Sequence, residues 1–149
     1  MLDKSKTLAL GCDHAGYELK EYLKIRLAES GYSIRDFGTY SLDSMDYPDV
    51  AHPVASSVDK GIYEAAILIC GSGNGMCITA NKYNSVRAAL CWTAELSGLA
   101  RAHNNANLLC LPARFISKEE AFQACIKFFT TEFEGGRHAG RVNKITSQL

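Results

Sequence analysis

The sequence has no excess of either charge and no long run of apolar residues. Lys and Arg together number 16, as do Asp and Glu, so the formal net charge is zero. Without an overall field, a nucleic-acid partner or a membrane surface is disfavoured. Residues 1–6 are mixed in charge, and no long apolar stretch follows them. The sequence therefore predicts neither a secretory signal nor a membrane span.

The sequence also lacks a disulfide framework. Its cysteines are not densely spaced, and most of them lie in apolar runs, where a free thiol is ordinary core material. Reduced thiols of this kind indicate a cytoplasmic protein. The chain has neither H-x-x-x-H nor paired C-x-x-C spacing, so we expect no metal site. The six cysteines are Cys12, Cys70, Cys77, Cys91, Cys110 and Cys125.

Short apolar runs alternate with amphipathic stretches along the chain, without internal repeats. The alternation predicts an α/β fold, a three-layer sandwich with a five-stranded, doubly wound, Rossmann-like parallel sheet. At 149 residues we expect one domain, spanning residues 1–149. The third predicted strand is apolar throughout, as expected when both faces are covered. The predicted strands are 7–10, 32–37, 65–69, 86–91 and 107–111.

Helix signals lie between the strands. Leu19, Leu23 and Leu27 recur with helical spacing. Ser117 and Glu120 form a capping box at the start of a later helix. A weaker helix is predicted over 49–58, and a last helix over 137–147 lies outside the alternation.

A thiol followed by glycines is the strongest local signal. The third strand runs into Cys70, a five-residue loop with three glycines spans Gly71–Gly75, and a helix is predicted from Met76. This arrangement places Cys70 beside the free N–H groups of a helix N-terminus, which favour a thiolate and hold anions. A functional role for Cys70 is therefore favoured over a structural one. Ser72 fits a loop cap as well as a ligand contact.

The glycine loop matches neither of the common nucleotide motifs. The dinucleotide motif G-x-G-x-x-G would need glycine where Met76 stands, and the next strand ends in Cys91 rather than an acid. The motif G-x-x-x-x-G-K-[ST] is absent. A thiol phosphatase would need arginine six residues after the cysteine, and Met76 occupies that position as well.

Two further clusters lie at the ends of predicted elements. Asp13 and His14 follow the first strand, and His103 and Asn104 lie in the last turn of a predicted helix. Ligands of doubly wound sheets bind beyond the carboxyl ends of the strands, so we predict that both clusters meet Cys70 there. Asp13 also fits a plain N-cap. His103 fits a structural histidine on the core side of its helix equally well.

Arg137 and Arg141 are i, i+4 neighbours on one face of the last predicted helix. Their like charges repel unless an anion or acidic partners lie between them. A phosphate clamp is one interpretation, and a solvated surface pair is the other.

These motifs, in this order, resemble those of the type B ribose-5-phosphate isomerases, a family that also contains the subunits of galactose-6-phosphate isomerase. The resemblance runs from Leu8 to Ile145 and is specific because several motifs occur together. The motifs are GCDHAG at Gly11–Gly16, DYPD at Asp46–Asp49, ICGSGNGM at Ile69–Met76, ANK at Ala80–Lys82, HNNAN at His103–Asn107 and EGGRHAGR at Glu134–Arg141.

The resemblance implies an aldose–ketose isomerase that interconverts ribose 5-phosphate and ribulose 5-phosphate through a cis-enediolate, in the pentose phosphate pathway. It implies that Cys70 is the base acting between C1 and C2, and that His103 opens the sugar ring. Some relatives instead carry a catalytic carboxylate after the glycine loop, where this chain has Met76. The implied substrate-binding residues are Asp13, His14, Gly71, Ser72, Gly73, Asn74, Gly75, Asn104, Arg114, Arg137 and Arg141.

The resemblance further implies a homodimer or homotetramer with sites at the subunit interface, where the arginines serve a neighbour's site. The reaction needs no metal or redox cofactor. Alternatives that stay open are a six-carbon substrate (allose 6-phosphate or galactose 6-phosphate), a binding module without turnover, and a thiol-dependent hydrolase. Retention of both Cys70 and His103 in one chain favours the ribose enzyme.

Overall fold

A parallel sheet of five strands forms the centre of the computed structural model, which describes residues 5–146. The order across the sheet is β2-β1-β3-β5-β4, so the direction of winding reverses between β1 and β3. That reversal is the switch point at which doubly wound sheets bind ligands. The strands are β1 Thr7–Cys12, β2 Ser33–Asp36, β3 Ala66–Cys70, β4 Ala88–Leu90 and β5 Leu108–Pro112.

Helices cover both faces of the sheet. The first, fourth and fifth pack on one face, and the second and third on the other. In the described part of the chain, no helix is long and apolar enough to cross a membrane. A 3₁₀ turn at His14–Gly16 precedes the helices, which are α1 Tyr17–Glu29, α2 Pro48–Asp59, α3 Asn74–Ala80, α4 Ala94–Asn104, α5 Lys118–Thr130 and α6 Arg137–Asn143.

The predicted strands and helices are confirmed, although several of their ends differ from the prediction. The glycine loop is shorter than expected because α3 begins at Asn74, after Gly73 in the left-handed region with φ of 75°. Asn74 and Gly75 are therefore helical, and only 71–73 form the loop. The last helix ends at Asn143, and the predicted end at Ser147 lies outside the described residues. The predicted fourth strand, 86–91, is shortened to Ala88–Leu90.

The apolar sequence of β3 explains its central position. All five of its residues are buried, and alternate side chains enter opposite layers. Ile67 and Ile69 pack with α1 and α5, whereas Leu68 and Cys70 pack with α2 and α3. The strand therefore delivers Cys70 to the α2–α3 side of the carboxyl edge.

A buried ion pair fastens β2 to α1 beside the end of β1. Lys20 is fully buried, and its Nζ donates to both Asp36 carboxylate oxygens at 2.9 and 2.7 Å. The same carboxylate accepts from the Gly38 N–H at 2.9 Å, and the Gly38 carbonyl accepts from the Cys12 N–H at 2.7 Å. Asp13 follows directly. The pair thus supports the loop next to one candidate site residue.

The stability that the Lys20–Asp36 ion pair contributes depends on pH, because the Asp36 carboxyl has to be ionised. Burial opposes its ionisation, but hydrogen bonds from Lys20 and Lys24 outweigh burial and lower the pKa of Asp36. An unfolded aspartate has a pKa of about 3.9. Because the folded value is lower, the stabilisation is present above the unfolded pKa and is lost as pH falls through the folded pKa.

We predict that Asp36→Asn lowers the free energy of unfolding at pH 7 by about 3 kcal/mol, because Lys20 then stays buried without its main counterion. The predicted loss is at the low end of the range for breaking a buried ion pair, because the Glu21 carboxylate still lies 3.0 Å from the Lys20 ammonium. Urea denaturation at pH 7 and at pH 3 measures the effect, which should shrink at the lower pH.

Glu64→Gln is the matched control, because it removes a carboxylate from the exposed Lys6–Glu64 pair. It should change the free energy of unfolding far less. Equal losses in the two variants, or a loss in Asp36→Asn that does not depend on pH, would contradict the role of the buried pair.

Candidate active site

Cys70 lies in a cleft at the carboxyl edge of the sheet, at the switch point between β1 and β3. Asp13 and His14 reach it from the end of β1, and Arg114 reaches it from the end of β5. The cleft has a volume of about 430 Å³, which suits a small phosphorylated sugar. We call it the Cys70 cleft. Its lining residues are Asp13, His14, Ala15, Tyr47, Cys70, Gly71, Ser72, Gly75, Arg114 and Phe115.

The Cys70 side chain is only 5% exposed. It packs beside Met76 and Cys110 in the apolar layer under α2 and α3, yet it also lines the cleft. Its carbonyl accepts from the Ala113 N–H at 2.9 Å, which ties the end of β3 to the segment that carries Arg114. The thiol is therefore held at the border between apolar core and cleft.

Three glycines after Cys70 let neighbouring side chains lie close to the backbone of this segment. A Cβ at Gly71 would lie 3.3 Å from the Arg114 guanidinium, and one at Gly75 would lie 2.6 Å from the Tyr47 ring. A Cβ at Gly73 would clash with the Leu90 side chain. The loop thus brings a cation close to the backbone beside Cys70, in a position to contact an anionic group.

Asp13 is the N-cap of the 3₁₀ turn, as one interpretation of the sequence had it. Its Oδ1 accepts from the Gly16 N–H at 3.1 Å, and the residue is 7% exposed. The Nδ1 atom of His14 accepts a hydrogen bond from the Met45 N–H, with an N···N distance of 3.3 Å. This hydrogen bond assigns the proton of the neutral His14 ring to Nε2. Both residues also line the cleft, so a substrate contact stays a prediction.

Ser72 and Asn74 are exposed at the mouth of the loop. Ser72 Oγ accepts from the Asn74 N–H at a long 3.4 Å, so the hydroxyl contributes to the turn. Ser72 also lines the cleft. Its roles in capping and in ligand contact are therefore compatible.

His103 and Asn104 do not share this edge within one chain, and the prediction that they do is wrong. The segment after His103 lies at the start of β3, where the Asn107 carbonyl accepts from the Ala66 N–H at 3.1 Å. Cys70 is at the other end of β3, paired with Pro112. The four residue steps between Ala66 and Cys70 span about 13 Å.

The reason lies in the crossover between parallel strands. A helix that connects two parallel strands runs antiparallel to them, so its last turn reaches the amino edge, where the next strand begins. His103 is in the last turn of α4, directly before β5. A helix end and a strand end are therefore at opposite edges.

At the amino edge, His103 belongs to a group that we call the histidine cluster: His103, Glu134 and His138. The two imidazole rings stack with centroids 4.3 Å apart and planes 2° from parallel. Glu134 Oε2 lies 3.7 Å from His103 Nε2 and 3.6 Å from His138 Nε2. Burial lowers the pKa of His138, and the charges of His103 and Arg137 act in the same direction.

Arg137 and Arg141 lie on either side of His138 on α6, where both are exposed. They share one helix face, as predicted. Among residues 5–146, neither guanidinium has a carboxylate partner within ion-pair distance. Two exposed, unneutralised cations next to two histidines form a surface suited to an anion.

The histidine cluster also provides three donor atoms that lie within 4.8 Å of one another, which is close enough to consider a metal ion. Its ring geometry does not suit one. An ion binds in the plane of an imidazole, and two stacked, parallel rings have separate planes. Both nitrogens could bind one ion only after a ring rotates.

The predicted site residues thus form two groups at opposite edges of the sheet. Sequence reasoning missed the Tyr47 and Phe115 walls of the cleft, as well as Glu134 and His138. The i, i+4 spacing of Glu134 and His138, on either side of Gly135 and Gly136, was the available signal. The group at the carboxyl edge is Asp13, His14, Cys70, Gly71, Ser72, Gly73, Asn74, Gly75 and Arg114; the group at the amino edge is His103, Asn104, Arg137 and Arg141.

Similar proteins share this architecture over nearly the whole chain. The Escherichia coli ribose-5-phosphate isomerase B is 39% identical over 142 residues, which is 95% of both chains. A ribose 5-phosphate isomerase structure from Thermotoga maritima is 47% identical, with a TM-score of 0.92 over 95% of this chain and 97% of that one.

A ribose-5-phosphate isomerase B structure from Mycoplasma genitalium contains bound ribulose 5-phosphate. It is 38% identical, with a TM-score of 0.93 over 98% of this chain and 97% of that one. The family model for ribose/galactose isomerases matches residues 8–145. The chain belongs to the ribose/galactose isomerase family.

Proposed function

We propose that this protein interconverts ribose 5-phosphate and ribulose 5-phosphate. The observation that carries the proposal is the Cys70 cleft, where a thiol, a carboxylate and a guanidinium surround about 430 Å³ at the switch point of the sheet. The relatives named ribose-5-phosphate isomerase, one of them with ribulose 5-phosphate bound, support the same substrate.

Cys70 is the proposed carbon base. In the open-chain aldose it takes the proton from C2, and the electron pair forms the enediolate as the C1 carbonyl oxygen gains negative charge. The proton of the C2 hydroxyl moves to the C1 oxygen, and the thiol returns a proton to C1, which leaves the carbonyl at C2 and gives the ketose. N–H groups at the start of α3 face the developing oxyanion, and each such donor typically contributes roughly 3 kcal/mol in the transition state.

We propose that a second subunit completes each site in a homodimer or homotetramer. Within one chain, His103, Arg137 and Arg141 lie at the edge opposite Cys70. Beside the Cys70 cleft, Phe115 and Trp92 are 73% and 52% exposed. Exposed aromatic side chains of this size suit a subunit contact. His103 of the partner subunit would then open the ring, and the partner's arginines would hold the phosphate.

We also propose that the activity belongs to the pentose phosphate pathway, in the cytoplasm, with residues 1–149 forming one domain. A catalytic thiol has to stay reduced, and all six cysteines of the structure are free.

We predict that Cys70→Ala lowers kcat for ribose 5-phosphate by about 100-fold or more, because the general base is lost. Cys77→Ala is the control, since that thiol faces the Ala88 carbonyl rather than the cleft. A coupled assay on folded protein measures both variants, with allose 6-phosphate and galactose 6-phosphate as competing substrates. Wild-type turnover by Cys70→Ala would refute the assignment, and faster turnover of either hexose phosphate would refute the substrate.

We predict that Arg137→Ala and Arg141→Ala each raise KM by about tenfold, corresponding to about 1.4 kcal/mol of phosphate binding, while kcat changes little. Lys144→Ala is the control, because it removes an exposed cation at the end of the same helix. Initial rates over a range of ribose 5-phosphate concentrations separate the two parameters. An unchanged KM in both arginine variants would show that they are ordinary surface charges.

A further inference from the structure

We infer that Glu134 is a positioning residue for His103, and that its carboxylate holds the stacked His103 and His138 rings together at the amino edge of the sheet. The inference rests on the proposed function in one respect: it assumes that His103 opens the sugar ring. The geometry of the cluster carries the rest.

The backbone places Glu134 against the end of α4. Its N–H donates to the Ala102 carbonyl at 3.0 Å, directly before His103. Gly135 and Gly136 follow with φ of 65° and 53°, values that side-chain-bearing residues rarely adopt. The chain therefore turns sharply into α6, and His138 comes back over His103. The turn at Gly135 and Gly136 therefore brings the Glu134 carboxylate and the His138 imidazole to His103.

The stacked rings need a nearby negative charge when they are protonated. Two imidazolium ions with centroids 4.3 Å apart repel each other, and Glu134, within 3.7 Å of both Nε2 atoms, offsets that repulsion. Burial and the charges of His103, Arg137 and Arg141 disfavour protonation of His138, and Glu134 alone favours it.

The carboxylate also helps to fix the position of the His103 ring. Glu134 Oε2 lies 3.7 Å from His103 Nε2, which is an ion-pair distance rather than a direct hydrogen bond, so it attracts the ring as a charge. Ring opening transfers the proton of the C1 hydroxyl to the ring oxygen as the bond from C1 to that oxygen breaks. A histidine held in place by a neighbouring carboxylate can take the first proton and supply the second.

Titration of the histidines by NMR on the full-length, histidine-labelled protein tests the inference without reference to activity. In the wild type, protonation of either ring should shift the resonances of both, because the rings are stacked. Glu134→Gln should lower the pH at which His138 takes up its proton, since it removes the one charge that favours the protonated ring. His138→Phe keeps a stacked ring, and it should remove the second perturbation from the His103 resonances.

Glu132→Gln is the matched control, an exposed acid two residues away that should leave the response of His138 unchanged. Resonances of the two rings that respond independently in the wild type would overturn the inference. A pH of His138 protonation that Glu134→Gln leaves in place, or that Glu132→Gln lowers equally, would overturn it as well.

A kinetic measurement separates this inference from the proposed function. The 5-phosphate of ribulose blocks the hydroxyl that would close a ring, so solvent deuterium incorporation at its C1 reports the Cys70 step alone. Glu134→Gln should lower kcat/KM for ribose 5-phosphate about tenfold and move its acid limb to lower pH, while deuterium incorporation stays within about twofold. Equal loss of both reactions would overturn the positioning role. Absence of both reactions in the wild type would instead refute the proposed function.

Discussion

The direction of the crossovers in a parallel sheet is the constraint on which this molecule depends. Every strand ends at the carboxyl edge, and every connecting helix ends at the amino edge. Cys70, Asp13 and Arg114 follow strands, so the chain gathers them in one cleft. His103 ends a helix, so the same chain carries it to the opposite edge. The fold thus separates the candidate residues into two half-sites at opposite edges of the sheet, and the proposed second subunit would join them.

Each half-site uses glycines to bring charged groups together. In the cleft, the absence of a side chain at Gly71 lets the Arg114 guanidinium lie against the loop beside the thiol. In the histidine cluster, Gly135 and Gly136 turn the chain so that Glu134 and His138 meet His103. The two halves also differ in solvent exposure, because Cys70 is nearly buried whereas His103 is half-exposed. That contrast agrees with the roles proposed for Cys70 as the carbon base and for His103 as a group that acts on the neighbouring subunit's site.

The sequence predicted the sheet well because the strongest signals were local. The wholly apolar β3 and the spacing of Leu19, Leu23 and Leu27 depend only on neighbouring residues. The start of α3 was placed too late, since the left-handed turn at Gly73 is a backbone property that composition does not reveal. The edge of His103 was wrong because it depends on topology, namely which end of a helix faces which end of a strand. Glu134 was missed because its partner His103 is distant in sequence.

The most direct test of the account is to co-express Cys70→Ala and His103→Asn subunits with different tags and assay the mixture. If each site combines Cys70 of one subunit with His103 of the other, a hybrid dimer has one intact site and one doubly altered site. Random pairing then restores about one quarter of the wild-type specific activity, although each variant alone is inactive. A mixture that stays as inactive as the separate variants, despite hybrid dimers in a two-tag purification, would contradict the shared site.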